Sequence, residues 1–324
     1  MIRELRSRGV LGINRRNACY TLKWNDRRHY PLVDDKLATK RLCQEAGIPV
    51  PQLLAVAAIH HDARELPRHM AGYADFVLKP ARGAMGNGIL VLESCPEGGY
   101  LRPSGRHIRA EDVIYHAAGI ISGLYSLAGH KDVAMVEERI VSHPDLAEIS
   151  SRGVPDVRVI VYRGFPVMAM IRLPTDASGG RANLHQGAIG AGIDLAGGRT
   201  VAAVLRNRPV RMHPDKGLDV VGRAIPSFEA LLRIAVSAAD RTGLRYVGAD
   251  VVVDARRGPV ILELNARPGL AIQIANRAGL LPRLVAVDAE LGHTDPRREG
   301  PKLALETRLA RGCAIAAAHP GVAA

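Results

Sequence analysis

The most constraining stretch of the sequence runs from Val247 to Leu264, where two period-two runs rich in β-branched residues flank Arg256-Arg257-Gly258. Such a stretch predicts an antiparallel hairpin, and counting by twos separates its faces. Val247, Ala249, Val251 and Val253 share one face, extended on the second strand by Val260, Leu262 and Leu264. A hairpin symmetric about residues 254–259 pairs Val253 with Val260 and sets Asp250 opposite Glu263, with Asn265 two residues further on the same face. Opposed carboxylates repel, and at ~4 Å with an effective dielectric of ~20 the repulsion is about 4 kcal/mol. A cation relieves it. Two carboxylates and an amide oxygen are hard ligands that suit Mg²⁺ or Mn²⁺, whose remaining positions go to water and nucleotide phosphates. The competing expectation is a solvated face whose acids pair with Arg256, Arg257 or Arg267.

A second pattern is strand, glycine loop, strand. Phe76-Val77-Leu78-Lys79-Pro80 reads as a strand, Arg82 to Gly88 as a loop carrying Gly83, Gly86 and Gly88, and Ile89 to Leu92 as the next strand. Glycines permit φ > 0 and close backbone approach, which serve a phosphate cradle and an ordinary turn alike. The loop is not a Walker A motif, because Ile89 stands where lysine is required, and the G-x-G-x-x-G fingerprint fails at Val91. Lys79 points towards phosphate, since its ammonium is placed to reach an anion under the loop. The plain alternative is a solvated lysine at a strand end.

Around these motifs the pattern predicts a helix from Asp34 to Gly47, a strand from Ala134 to Val141, and a hairpin of Val157–Tyr162 with Val167–Arg172 turning at Gly164-Phe165-Pro166. That turn puts Arg158 and Arg172 on one face, a ready clamp for an anion. A glycine-rich segment spans Gly179 to Gly198, and a helix runs from Ser227, its N-cap, to Gly243. Residues 1–33 read as a basic segment without a domain of its own, and the chain beyond about residue 295 as a tail of no clear role.

Composition narrows the partners. The 324 residues suit two domains or one large domain with an appendage, and at 4% aromatic the core is built from Val, Leu, Ile and Ala. Stacking platforms for single-stranded nucleic acid are scarce. A formal charge of +12 attracts anions, yet no zinc spacing, aromatic RNP pattern or basic helix supports nucleic-acid binding. Cys19, Cys43, Cys95 and Cys313 are widely spaced, and Met1 to Gly12 lacks an apolar core, so a reducing cytoplasm is expected. The uncharged stretch from Val113 to His130 is interrupted by His116, Ser122, Ser126 and His130. Its Ile114, Ala118, Ile121, Leu124, Tyr125 and Ala128 recur at helical spacing, which predicts an amphipathic helix and no membrane span.

The order of the motifs resembles the ATP-grasp superfamily, and within it the RimK-type, alpha-L-glutamate-ligase-like proteins. The resemblance rests on Asp34-Asp35-Lys36-Leu37, Ala46-Gly47-Ile48-Pro49-Val50-Pro51, Phe76 to Pro80 with its glycine loop, Val136-Glu137-Glu138-Arg139-Ile140, Asp156-Val157-Arg158, Arg181-Ala182-Asn183-Leu184-His185-Gln186-Gly187, and Glu263 to Leu270. It implies an α/β (α+β) fold of two lobes gripping ATP, over residues 34–295, with a smaller lobe at about 75–135 and a larger, metal-binding lobe at about 136–295. It further implies that Lys36 and Lys79 contact ATP phosphates and that the loop with Gly83, Gly86 and Gly88 closes over the γ-phosphate. Glu138 and Arg139 would form the hinge that receives adenine, Asp156 would meet the ribose, and Arg181 and Asn183 would face the phosphates. Asp250, Glu263 and Asn265 would hold Mg²⁺ or Mn²⁺ between the lobes.

The implied activity is ATP-dependent joining of a carboxylate to an amine through an acylphosphate, with glutamate or an acidic peptide as one substrate and Arg158, Arg172 and Lys79 as catalytic groups. Three departures stand out: only 33 residues precede Asp34 where relatives carry a longer N-terminal domain, Gly187-Ala188 replaces a paired glycine, and Ala266-Arg267 replaces serines. The first suggests an acceptor site completed by a partner subunit, hence a homo-oligomer. The competing functions are a non-catalytic nucleotide-binding regulator and a basic nucleic-acid-binding protein.

Overall fold

The expected strands form, and they sort into two antiparallel sheets, one in each of two units. The computed structural model describes residues 2–83, 86–96, 98–126, 129–292 and 303–321. Ala84 and Met85 of the glycine loop, Ala128, and residues 296–302 of the expected tail lie outside the described residues. One unit is Asp35–Leu37 with Pro51–Ile140; the other is Met1–Asp34, Ala38–Val50 and Val141–Ala324.

The smaller unit carries β1 (Leu53–Ala57), β2 (Asp75–Pro80), β3 (Leu90–Ser94), β4 (Tyr100–Leu101), β5 (His107–Ile108) and β6 (Ala134–Glu137), in the order β1-β6-β2-β3-β4-β5. Helices His60–Met70 and Ala110–Ile121 bury Leu66, Met70, Val113, Ala117 and Ile120 against Phe76, Leu78, Leu92 and Val136. The buried face of the second helix is therefore led by Val113, Ala117 and Ile120; of the expected row Ile121 is buried with them, while Ile114 and Ala118 are half-buried. Both rows are apolar, so periodicity alone does not choose between them, and Leu124 is left 71% exposed.

The larger unit carries β7 (Asp156–Tyr162), β8 (Phe165–Leu173), β9 (Ile189–Ile193), β10 (Thr200–Leu205), β11 (Arg208–Val210), β12 (Tyr246–Asp254) and β13 (Gly258–Asn265), in the order β11-β10-β9-β8-β7-β12-β13. Both faces are covered. On one, helix Phe228–Arg241 packs Leu231, Ala235 and Ala238 on Val159, Ile171, Ala249 and Val251. On the other, Ile160, Tyr162, Met168 and Tyr246 pack with Leu11, Tyr20, Trp24, Ile272 and Leu284. Residues 1–33 are thus part of this unit's second layer, where Asn25 Nδ2 donates to the Tyr246 and Ala266 carbonyls at 2.8 and 3.0 Å. The described part of the tail includes helix Leu305–Ala318, whose Arg308 donates to Gly164 O at 3.0 Å and pairs with Asp240 at 2.8 Å.

Two hairpins turn differently from expectation. The β7–β8 turn is Arg163-Gly164 alone, both with positive φ (50° and 83°), a tight connection that matches strand twist. In the last hairpin Val253 pairs with Pro259 and Val251 with Ile261, and a bulge at Leu262 then restores the pairing of Asp250 with Glu263. Ile261, rather than Val260 and Leu262, accordingly joins Leu264 in the core beside Val251. Ser227 precedes its helix in a left-handed conformation (φ 52°) and makes no side-chain cap bond.

Asp254 closes the last hairpin. Its Oδ1 accepts from the backbone N–H groups of Arg256 and Arg257 at 2.9 and 3.0 Å, and Oδ2 accepts from Val141 N at 3.0 Å. Burial works to raise its carboxyl, but these backbone donors outweigh it and hold the group below the usual range. A depressed carboxylate stabilises the fold above its unfolded pKa and loses that contribution as pH falls through its folded value. Asp254→Ala should therefore cost about 1–3 kcal/mol at pH 7 in urea unfolding. The difference from wild type should narrow below pH ~4, where the carboxylate of the wild-type unfolded chain protonates.

Candidate active site

The larger sheet sets β12 between β7 and β13, so Asp250 has two cross-strand neighbours, Glu263 and Arg158. On β8, Arg172 stands opposite Asp156 of β7. Arg158 Nε donates to Asp250 Oδ1 at 2.7 Å and its Nη2 to Oδ2 at 2.6 Å, while Arg172 Nη2 donates to the same Oδ2 at 2.8 Å. Arg172 also holds Asp156 with both Nε and Nη2. Asp250 is 1% exposed. The repulsion expected between Asp250 and Glu263 is thus relieved from the other side of β12, by arginines 92 and 78 residues earlier in the chain.

Burial works to raise the Asp250 carboxyl, but Arg158 and Arg172 prevail and hold it well down. Asp156 goes the other way, raised by burial and by the nearby charge of Asp250 against the pull of Arg172. Asn265 Nδ2 lies 3.4 Å from both Asp250 Oδ2 and Glu263 Oε1, and a half-turn of the amide presents its oxygen at the same point. Among the described residues no three His, Cys, Asp or Glu side chains converge as a metal cage. The oxygen donors on this face are Glu263, the Asn265 amide and Asp250, whose Oδ1 accepts from Arg158 Nε. Three carboxylates face two guanidinium groups here, a balance that accommodates a hard divalent cation.

In the smaller unit Lys36 Nζ donates to Gly83 O at 2.7 Å, tying the first glycine of the loop. Asp132 accepts the Arg82 backbone N–H with both oxygens at 3.1 Å, and His116 Nε2 lies 2.9 Å from Gly88 O. Gly88 has φ +77°, and a Cβ there would sit 2.7 Å from Tyr125 Cγ, so glycine is required. Gly86 also has positive φ, 76°. Lys79, 8% exposed, forms a 2.5 Å ion pair with Glu137 on β6. Glu138 exchanges bonds with Gln52, accepting its N–H at 2.5 Å, and Arg139 pairs with Glu93.

The structure therefore gathers Arg158, Arg172, Asp156, Asp250, Glu263 and Asn265 in one cluster, and Lys36 with Gly83 in another. The loop with Arg181 and Asn183 is held by its own turn, Asn183 Oδ1 accepting from His185 N at 2.9 Å, and neither side chain bonds to the first cluster among the described residues. Sequence reasoning missed Asp132, His116 and Glu137. Lys79 and Glu137 meet only through the pairing of β2 with β6, which no local pattern announces.

A family model described as sugar-transfer associated ATP-grasp matches residues 15–289. The chain belongs to this ATP-grasp family. Its two antiparallel sheets with packed helices are the α+β architecture expected of an ATP-grasp protein. A probable alpha-L-glutamate ligase of Legionella pneumophila is 28% identical over 252 residues, which cover 78% of this chain and 61% of that protein. A second probable alpha-L-glutamate ligase, from Parasynechococcus marenigrum, is 26% identical over 83% of this chain and 44% of its own length. The chain thus spans about three fifths or less of these curated relatives. Among solved structures, the ATP-grasp ligase PsnB complexed with minimal precursor gives a TM-score of 0.45 at 17% identity, covering 83% of this chain and 63% of that one. No helix among the described residues of this ATP-grasp protein is long and apolar enough to cross a membrane.

The arginine pairing reverses one expectation about stability. Were Asp250 an unrelieved partner of Glu263, removing its charge would stabilise the metal-free protein. With two guanidinium groups bound to it, Asp250→Asn should instead destabilise by about 3–5 kcal/mol, measured by urea unfolding in excess chelator. A gain in stability would mean that the arginines do not hold Asp250 in solution.

Proposed function

We propose that this chain is an ATP-dependent carboxylate–amine ligase. The observation that carries the proposal is the grouping of Glu263 and Asn265 beside Asp250, on the sheet face that also bears Arg158 and Arg172, in a chain of the ATP-grasp family. A carboxylate oxygen of one substrate attacks the γ-phosphorus of ATP, the bond to the β-phosphate oxygen breaks, and an acylphosphate and ADP form. An amine nitrogen then attacks the acyl carbon, phosphate leaves, and the nitrogen gives up a proton. No side-chain nucleophile is needed, so the protein's work is positioning and charge balance.

In this proposal Lys36 and Lys79 bind ATP phosphates, the loop with Gly83, Gly86 and Gly88 covers the γ-phosphate, Glu138 and Arg139 border the adenine, and Asp156, Arg181 and Asn183 complete the nucleotide site. A magnesium-class cation on Glu263, Asn265 and Asp250 supplies neutralisation of phosphate charge when bound. Arg158 and Arg172 are held rigid by their aspartates, and each guanidinium keeps donors beyond those it gives to them. Such preorganised donors suit the charge that develops in phosphoryl transfer. The names of the curated relatives favour glutamate as one substrate, and the chain's formal charge of +12 suits an acidic peptide as well.

Release of ADP, measured over a matrix of amino acids and acidic peptides with Mg²⁺, tests the proposal. Glu263→Gln should slow turnover by about 100-fold or more, as for loss of one charge-stabilising group. Lys79→Ala should weaken ATP far more than adenosine, which lacks phosphates, in equilibrium binding. ATP binding without ADP release for any substrate pair would point to a nucleotide-binding regulator instead. DNA binding that falls steeply with salt, without ATP binding, would point to a nucleic-acid protein.

A further inference from the structure

The loop that carries Arg181 and Asn183, residues 174–187, contains two short 3₁₀ turns, Asp176–Ser178 and Leu184–Gln186, and no other regular structure. Its shape is therefore set by side-chain bonds as well as by its own turns. Thr175 Oγ1 donates to Gly187 O at 2.8 Å and draws the two ends together, as in a compact Ω-loop. Thr175 is fully buried. The entry to the loop is held from outside by residues 212–219, a segment closed on itself by bonds from His213 N to Leu218 O and from Gly217 N to His213 O, both 2.8 Å. All of these residues belong to the larger unit.

His213 is 0% exposed, and both of its ring nitrogens are engaged. Nε2 lies 2.9 Å from Pro174 O, which only accepts, and Nδ1 lies 3.2 Å from Asp215 N, whose N–H only donates. The ring therefore carries its proton on Nε2. Asp215 Oδ2 in turn accepts from Asp176 N at 2.7 Å. Pro174 and Asp176 are thus each held by a residue 39 positions later in the chain. An apolar side chain would fill the space under the loop without needing a partner, whereas a buried imidazole is tolerated only when it is bonded. What the histidine adds is direction, since its bond to Pro174 O fixes where the backbone enters the loop.

We propose that His213 and Asp215 are positioning residues of the nucleotide site, setting residues 174–187 so that Arg181 and Asn183 meet the phosphates of ATP. This rests on the reading above that gives Arg181 and Asn183 to the nucleotide, and it adds the two residues that hold them in place. His213, fully buried, acts only through the backbone of Pro174, and Asp215 acts through Asp176 N. Donors that must be ordered at the moment of binding lose part of their interaction energy to that ordering. A loop closed by Thr175 and anchored at Pro174 and Asp176 leaves little to order, so the benefit falls on the phosphates. Adenosine, which has none, gains nothing from it.

Equilibrium binding of ATP and of adenosine to the full chain with Mg²⁺ present tests the proposal, in His213→Ala, His213→Gln, Asp215→Ala and Arg181→Ala/Asn183→Ala variants. His213→Ala should weaken ATP by about tenfold while adenosine binds as in wild type. His213→Gln, which keeps an N–H donor near the position of Nε2, should recover most of that loss. Asp215→Ala, altered at an exposed residue, should weaken ATP by about threefold, and it carries the test should the buried alanine variant fail to fold. Adding His213→Ala to Arg181→Ala/Asn183→Ala should weaken ATP no further, because the three residues then act as one unit. A further loss in that combination, or ATP and adenosine weakened alike, makes His213 merely structural and overturns the positioning role. If His213→Ala and Asp215→Ala bind ATP as wild type does while Arg181→Ala/Asn183→Ala binds it more weakly, the positioning role falls and the nucleotide reading stands. If Arg181→Ala/Asn183→Ala itself binds ATP as wild type does, the nucleotide reading of that loop falls and the positioning role falls with it.

Discussion

The larger unit is organised around a carboxylate that cannot be buried alone. Asp250 lies on β12 in the middle of a sheet covered on both faces, where an isolated charge is costly and a paired one is tolerable only with good geometry. Arg158 from the next strand grips it at both oxygens, and Arg172 from the strand beyond reaches it as well while holding Asp156. Charges alternate across β8, β7 and β12 before meeting Glu263 and Asn265 on β13. The register of four strands is thereby tied to one set of ion pairs, because a one-residue slip of any strand would turn its charged member to the opposite, apolar face.

What could be read from sequence was local in the chain. The opposition of Asp250 and Glu263 follows from period-two counting through one short turn. It survived two errors of opposite sense, a turn shorter than assumed and a bulge at Leu262. The helix Phe228–Arg241 and the strand around Lys79 were equally legible from their own residues. The rest depends on pairings between distant segments. Nothing near Asp250 in the chain signals Arg158, and nothing near Lys79 signals Glu137, since each contact exists only once β7 lies beside β12 and β6 beside β2. Nor does anything near Arg172 in the chain signal the two aspartates that hold it.

The covering role of the amino-terminal residues was hidden for a different cause. Leu11, Tyr20 and Trp24 are all buried, and although Tyr20 and Trp24 stand one helical turn apart, the π-turn Arg16–Thr21 breaks the phase back to Leu11. A period search therefore returns a basic, featureless segment. Its apolar side in fact covers the Tyr162 and Tyr246 face of the sheet, Tyr20 meeting the Tyr162 ring edge-on at 5.5 Å, and Arg163 lies over Trp24 with Cζ 4.3 Å from the ring centroid.

The division of the chain also bears on the order of folding. Apart from Asp35–Leu37, the smaller unit is one uninterrupted stretch, Pro51–Ile140, whereas the larger is assembled from three pieces. Its sheet needs β12 and β13, and its core includes Leu309 and Ala316 near the carboxyl end. During synthesis the smaller unit can close as soon as Ile140 has emerged. The amino-terminal layer must meanwhile wait, with Leu11, Tyr20 and Trp24 uncovered, until Tyr246 and the helices after it arrive. That interval of exposed apolar surface is one in which a chaperone can influence yield.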